Sequence, residues 1–234
     1  MTKLIWDAVA SRKYELGVSK TVLFVSDGSG SYKTGVAWNG TTSITDSPDG
    51  AKATDLYADN VKYASFRSAE TFGGTIEAYT FPDEFMACDG IVEMAPGVSF
   101  GQQGRKSFGL AYRTEQGNDV DDAIGYKLHI IYGATASPSG KKYESENDSP
   151  DAITFSWEYE TTPVSTDGIT LPDGIKRLKS VSSIVLDSTK CNLTDLEAVL
   201  YGGEGEEAES HLPLPEEVVS LVKPIGQVTP PAGA

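Results

Sequence analysis

The segment Ile153–Glu160 alternates without a break. Ile153, Phe155, Trp157 and Tyr159 fall on one side, and Thr154, Ser156, Glu158 and Glu160 on the other. A side-chain period of 2, with one apolar and one polar face, is what an antiparallel strand over a core presents. Two further runs share it. Ile124–Ala134 sets Tyr126, Leu128, Ile130 and Tyr132 on one face and Lys127 and His129 on the other, and Ser107–Glu115 lines up Phe108, Leu110 and Tyr112. Thr21–Ser26, Val98–Phe100 and Arg177–Leu186 are further strand-like runs. The predicted class is mainly β, built from antiparallel sheet. With 39% hydrophobic residues in 234 positions, the chain has the apolar content to bury a core.

The connections carry most of the remaining information. Lys62–Thr71 and Thr75–Phe81 flank Phe72-Gly73-Gly74, and the double glycine permits the positive φ of a tight hairpin between them. Pro82 then stops the strand and opens a short turn or helix over Asp83–Cys88. Asn39-Gly40 lies between Thr34–Trp38 and Thr41–Asp46, which predicts a second hairpin with Trp38 opposite Thr41 and Val36 opposite Ser43. Ser47–Asn60 breaks the strand pattern with Ser47, Pro48, Asp49 and Gly50, then a polar run in which Leu56 and Tyr57 are embedded beside Asp55, Asp59 and Asn60. It reads as a long irregular inter-strand loop, and loops of that length in compact domains are usually functional.

One helix is expected beside the sheets. Thr194-Asp-Leu-Glu197 matches a capping box, Leu193, Leu196, Val199 and Leu200 form a stripe at helical spacing, and Gly202-Gly203 ends it. Beyond that point glutamates dominate and Pro215 can open a short helix over Glu216–Val222. The predicted organisation is a β domain over 1–202 and an acidic, proline-containing extension over 203–234, separable from it.

Charge and chemistry exclude several classes. The net charge is −15, from 34 acids against 19 bases, which disfavours binding nucleic acid by phosphate neutralisation. Cys88 and Cys191 are too few for a disulfide framework and read as reduced thiols. The N-terminus shows no apolar signal-peptide core, and no run approaches the ~18 apolar residues of a membrane span. Lys33-Thr34 does not supply the ending of a phosphate loop. His129 and His211 have no nucleophile elbow to serve, and the potential zinc ligands are scattered. Asp119, Asp121 and Asp122 crowd one loop without EF-hand spacing. No catalytic residue, cofactor site or metal site is predicted. Aromatic-rich strands leave open a carbohydrate-binding sandwich, and the many carboxylates a glycan hydrolase.

Several segments, taken in order, resemble one family. They are Gly35-Val-Ala-Trp-Asn-Gly40, Thr54-Asp-Leu-Tyr-Ala-Asp-Asn60, Thr71-Phe-Gly-Gly-Thr-Ile-Glu-Ala-Tyr79, Gly101-Gln-Gln103, Gly125-Tyr-Lys-Leu-His-Ile-Ile-Tyr-Gly133 and Ile153-Thr-Phe-Ser-Trp157. Together they resemble the major tail (tail tube) proteins of long, non-contractile-tailed bacteriophages, the siphophages, over the chain as far as Tyr201. The resemblance implies a β-sandwich with a flanking helix, and a homohexamer whose rings stack into a helical tube. It implies a long loop reaching the next ring, here Ser47–Asn60. It further implies a lumen that encloses the tape-measure protein and passes DNA without tight binding. Tail terminator and distal tail proteins are the implied end partners, with no membrane partner. The implied location is the virion tail, assembled in the host bacterial cytoplasm. An acidic lumen wall is expected from the net charge, with Glu70 and Glu77 as its candidates. Glu77 alternates with Ile76 and Ala78, so its side chain is expected to leave the sandwich interior.

Overall fold

The computed structural model describes residues 4, 6–50, 52–143, 145, 152–169, 180–203 and 209–225. The alternating runs become β11 (Phe108–Gly117), β12 (Gly125–Ala136) and β13 (Phe155–Thr161). Around them lie β1 (Tyr14–Val25), β2 (Gly35–Ala37), β3 (Thr41–Asp46), β8 (Gly73–Ala78) and β14 (Ser183–Asp187). These form one sheet in the order β2-β1-β11-β12-β13-β8-β3, with β14 also on β12, and every pair is antiparallel. The fold is mainly β and sandwich-like.

β12 serves both layers. Its residues Lys127–Ile131 pair with β14, and Ala134–Ala136 pair with β13. Gly133 sits between the two stretches at φ 61°, where a Cβ would stand 2.2 Å from the Thr162 carbonyl oxygen, so only glycine fits at the divergence. The sheet thereby folds β13-β8-β3 over β1-β11-β12. Leu23, Ile76, Phe108, Leu110, Ile131 and Trp157 fill the space between. A single 3₁₀ turn, Asp83–Ala87, closes one end by inserting Phe85, whose ring lies 5.0 Å from Trp157 and 4.6 Å from Trp38.

A second core lies on the other face of β1, β11 and β12. There α1 (Thr194–Tyr201) and α2 (Pro215–Leu221) bring Leu193, Leu196, Leu200, Leu212 and Val218 against Phe24, Leu128 and Ile130. The alternation of β1 divides between the two cores, with Leu23 facing one and Val22 and Phe24 the other. Sheets covered on both sides explain why Phe108–Arg113 is buried at every position.

Several sequence expectations are corrected. Phe72-Gly73-Gly74 is not a hairpin turn, and neither glycine has positive φ. β8 pairs with β13 and β3, while Lys62–Thr71 divides into two strands with other partners. The double glycine instead permits close approach, because a Cβ on Gly74 would stand 2.3 Å from the Thr45 carbonyl oxygen and 2.5 Å from the Tyr159 hydroxyl. Asn39-Gly40 does turn, with Gly40 at φ 80°, but it joins opposite ends of the sheet. Val36 pairs with Leu23, and Ser43 with Glu77. The reason is Trp38, which sinks into the core and donates its indole N–H to the Thr80 carbonyl at 2.8 Å, so the flanking strands part.

The capping box at Thr194 does not form. The helix is preceded by Leu193 with no side-chain cap, Thr194 Oγ1 donates to Asn192 Oδ1, and Glu197 turns inward. The described part of the C-terminal extension is not separable, since Leu212 and Val218 are core residues and Tyr132 donates to the Pro213 carbonyl at 2.8 Å. It adds a second flanking helix, α2, at the place that Pro215 predicts.

Candidate assembly surfaces

The stretch read as an irregular loop is one limb of a long antiparallel ribbon. From its base in the sandwich, β3 pairs with β8. Beyond them β4 (Asp49–Gly50) pairs with β7 (Glu70–Thr71), and β5 (Ala53–Ala58) with β6 (Val61–Arg67). Ser47 N–H to the Gly73 carbonyl (2.8 Å) and Ser68 N–H to the Lys52 carbonyl (3.2 Å) carry the pairing across the gaps. Asp59 and Asn60 make the tip, with φ of 50° and 63°, the signature of a two-residue type I′ turn. Asx side chains tolerate this left-handed backbone better than other non-glycine residues.

Asp49, Gly50, Asp55, Leu56, Tyr57, Asp59 and Asn60 therefore lie together on this arm in strands and a tight turn rather than an irregular loop, with Ser47 and Pro48 in the gap between β3 and β4. The register sorts the tip into two faces. Thr54 opposes Phe66, Leu56 opposes Ala64, and Ala58 opposes Val61. On the other face Ala53 opposes Arg67, Asp55 opposes Ser65, and Tyr57 opposes Lys62. Asp55 and Lys62 form an ion pair at 2.8 Å, and the Lys62 ammonium, then Ser65, hold the Asp55 carboxyl below its usual range. Tyr63 occupies a bulge. The first face is apolar and bare. Leu56 is 46% exposed, Val61 65% and Phe66 61%, and no residue of β5 or β6 is buried.

A second hairpin, β9 (Val92–Ala95) with β10 (Val98–Phe100), also stands off the main sheet. It turns at Pro96-Gly97, where Gly97 has φ 79° and its N–H is received by Glu93 Oε1 at 2.8 Å. Val92 opposes Phe100, Glu93 opposes Ser99, and Val92, Met94, Val98 and Phe100 are all exposed.

The outer face of β13-β8-β3 is different in kind. Glu77 stands between Ser156 and Ser43, and accepts the Ser43 hydroxyl at 2.8 Å. Thr75 stands between Glu158 and Thr45, and Glu160 is opposite Gly73. None of the three strands contains a lysine or arginine. Glu77 does leave the interior, with Ile76 and Ala78 fully buried on either side. Glu70 belongs to β7, in a different sheet, so the two candidate acids do not lie on one strand or one sheet. Glu158 and Glu160 share this outer face with Glu77, as the alternation of Ile153–Glu160 implies. Phe66 and the β9-β10 side chains were missed because neither arm has the unbroken period of a covered strand.

Other candidate groups do not converge. Asp122 accepts the Tyr14 hydroxyl at 2.6 Å, and Asp119 faces the Arg12 backbone N–H at 3.4 Å. Among the described residues no three His, Cys, Asp or Glu side chains are placed to hold a metal ion. No helix among them is long and apolar enough to cross a membrane. Comparison with protein-family models finds no match to this chain, and comparison with curated proteins finds none.

Proposed function

We propose that this chain is a structural, non-enzymatic subunit that polymerises with its own copies into a tube, the tail tube of a siphophage. The observation that carries the reading is the tip of the ribbon. An isolated two-stranded sheet is marginal in water, yet this one turns Leu56, Val61 and Phe66 to solvent on a single face. Each such side chain gains about 1.5–3 kcal/mol when it leaves water. None of the described residues supplies that cover, and a neighbouring copy would. The family resemblance of the sequence supplies the form of the assembly: stacked hexameric rings, with a tape-measure protein inside and terminator and distal proteins at the ends. Assembly takes place in the host cytoplasm, and the final location is the virion tail.

The face bearing Glu77, Glu158 and Glu160 suits the wall of such a channel. Carboxylates repel phosphates, so DNA in transit meets no binding site. Assembled tubes should leave duplex DNA unretarded even at low ionic strength; retention that weakens with salt would contradict the acidic wall. The test of the whole reading is negative-stain imaging of the purified chain. Rings or tubes are expected. A chain that stays monomeric at high concentration, or that binds or cleaves glycans as a monomer, would overturn it.

A further inference from the structure

We propose that the β9-β10 hairpin of one copy is the seat on which the apolar face of the β5-β6 arm of another copy packs. The inference rests on the reading of the arm as an assembly element and names the surface that receives it. Two observations lead to it. First, the two hairpins share one defect. Each is a two-stranded sheet off the main sheet, too small to be stable alone. Each leaves an apolar face bare: Leu56, Val61 and Phe66 on one, Val92, Met94 and Phe100 on the other. Among the described residues the other short ladders, β4-β7 and that of β15 (Cys191–Asn192) with β16 (Lys223–Pro224), present no comparable face.

Second, their charges are opposite. Residues 52–67 hold Lys52, Lys62 and Arg67 against Asp55 and Asp59, three bases to two acids in a chain whose net charge is −15. Residues 82–100 hold Asp83, Glu84, Asp89 and Glu93 and no base. Asp89 is engaged internally by Arg105 and Lys141, but Asp83, Glu84 and Glu93 are exposed. A basic arm carried by an acidic molecule is steered to an acidic, apolar seat.

The alternatives fit less well. Arm against arm would be a two-fold contact that closes at a pair and leaves β9-β10 uncovered. Arm against the Glu77 face would press Leu56 and Phe66 on carboxylates and desolvate them without a partner. Arm against β9-β10 joins two different patches of one chain. It is heterologous, and repeats head to tail into a ring or a helical filament.

The test uses two full-length chains, both with Cys191→Ser. Cys88 is buried, and burial pushes its thiol up to about 12, so it stays unreactive. One chain carries Ser65→Cys and the other Ser99→Cys. Both serines are exposed and lie on the faces opposite Phe66 and Phe100, so the contact itself is untouched. The chains are mixed, treated with a bismaleimide longer than the roughly 10 Å spacing of packed sheets, and resolved by mass. Sedimentation of the same sample reports assembly. The expected product is a cross-linked dimer of the two different chains, with no dimer from either chain alone, and Val92→Glu/Phe100→Glu should lose assembly while keeping its melting temperature. Normal assembly without the mixed dimer, or with dimers of Ser65→Cys chains alone, would overturn this seat and leave the arm's role standing. A wild-type chain that never assembles would overturn both.

Discussion

Glu197 shows how far a single side chain can depart from its apparent sequence role, because it pairs with Arg113 instead of capping its helix. Arg113 lies in β11 amid an apolar run, and its guanidinium is buried on the helix side. Its centre is 4.1 Å from the ring of Tyr126 and 5.3 Å from that of Tyr201. Glu197 of α1 completes the site as an ion pair, and also accepts the Tyr126 hydroxyl at 2.6 Å. Burial, then Glu197, pushes the Tyr126 phenol up to about 12. As a capping residue Glu197 would contribute about 1 kcal/mol; as the partner of a buried cation its removal costs about 3–5 kcal/mol. Glu197→Ala is therefore expected to fall in the larger range in urea unfolding, with little change on Glu15→Ala at the more exposed Lys127 pair. His129 gives a second prediction. It stacks on Tyr112 with centroids 4.7 Å apart, and its Nε2 lies 3.0 Å from Thr114 Oγ1. Burial holds its imidazole below the ordinary value, against the upward pull of Asp46 and Glu15 and with a further downward push from Lys127. The unfolded chain therefore takes up the proton first, so stability falls as pH drops through about 6.5 toward the lower folded value. Melting temperature should decline from about pH 7.5 to 5.5, and His129→Gln should flatten that decline.

At the scale of elements, the C-terminal segment decides the larger energies. Leu212 and Val218 are nearly fully buried against the face of β1, β11 and β12, and Leu212 N–H donates to the Tyr32 carbonyl at 3.0 Å. Two buried apolar side chains contribute roughly 3–6 kcal/mol together. Truncation after Gly202 should lower the melting temperature sharply or yield insoluble protein; an unchanged melting temperature would contradict the second core. The sequence made some elements plain and hid others, for physical reasons. Ile153–Glu160 keeps an unbroken period because one face is covered by core, and Ile124–Ala134 keeps most of one, broken at Ile131 where β12 is covered on both sides. Thr194–Tyr201 was legible from its stripe and terminal glycines, and Pro215 from its fixed φ. The ribbon was hidden because its turn, Asp59-Asn60, lacks the glycine that usually marks a type I′ hairpin, and the bulge at Tyr63 shifts the alternation. Strand partners were the least legible, since β8 pairs with β13 from far along the chain, and local spacing at Gly73-Gly74 carries no information about that. The same limit applied to the candidate site: Leu56 and Tyr57 stood out in a polar run, whereas Phe66 gained meaning only once its pairing with Thr54 set its face.

For the whole molecule, shape and charge point the same way. The sandwich is stabilised by two internal cores, so the arms are not needed for the fold. They spend apolar side chains on solvent, which a monomer has no reason to retain. The acids are spread over the body, while the arm tip is net basic, which favours contact between copies over contact with phosphate. On this account the ribbon is an assembly organ and the sandwich its rigid mount. Sedimentation velocity of the wild-type chain beside Leu56→Glu/Phe66→Glu tests this most directly, with circular dichroism melting on the same samples. The account predicts that the wild type sediments as rings or longer polymers, and that the double variant keeps its melting temperature and sediments as a monomer. A double variant that polymerises like the wild type would contradict it.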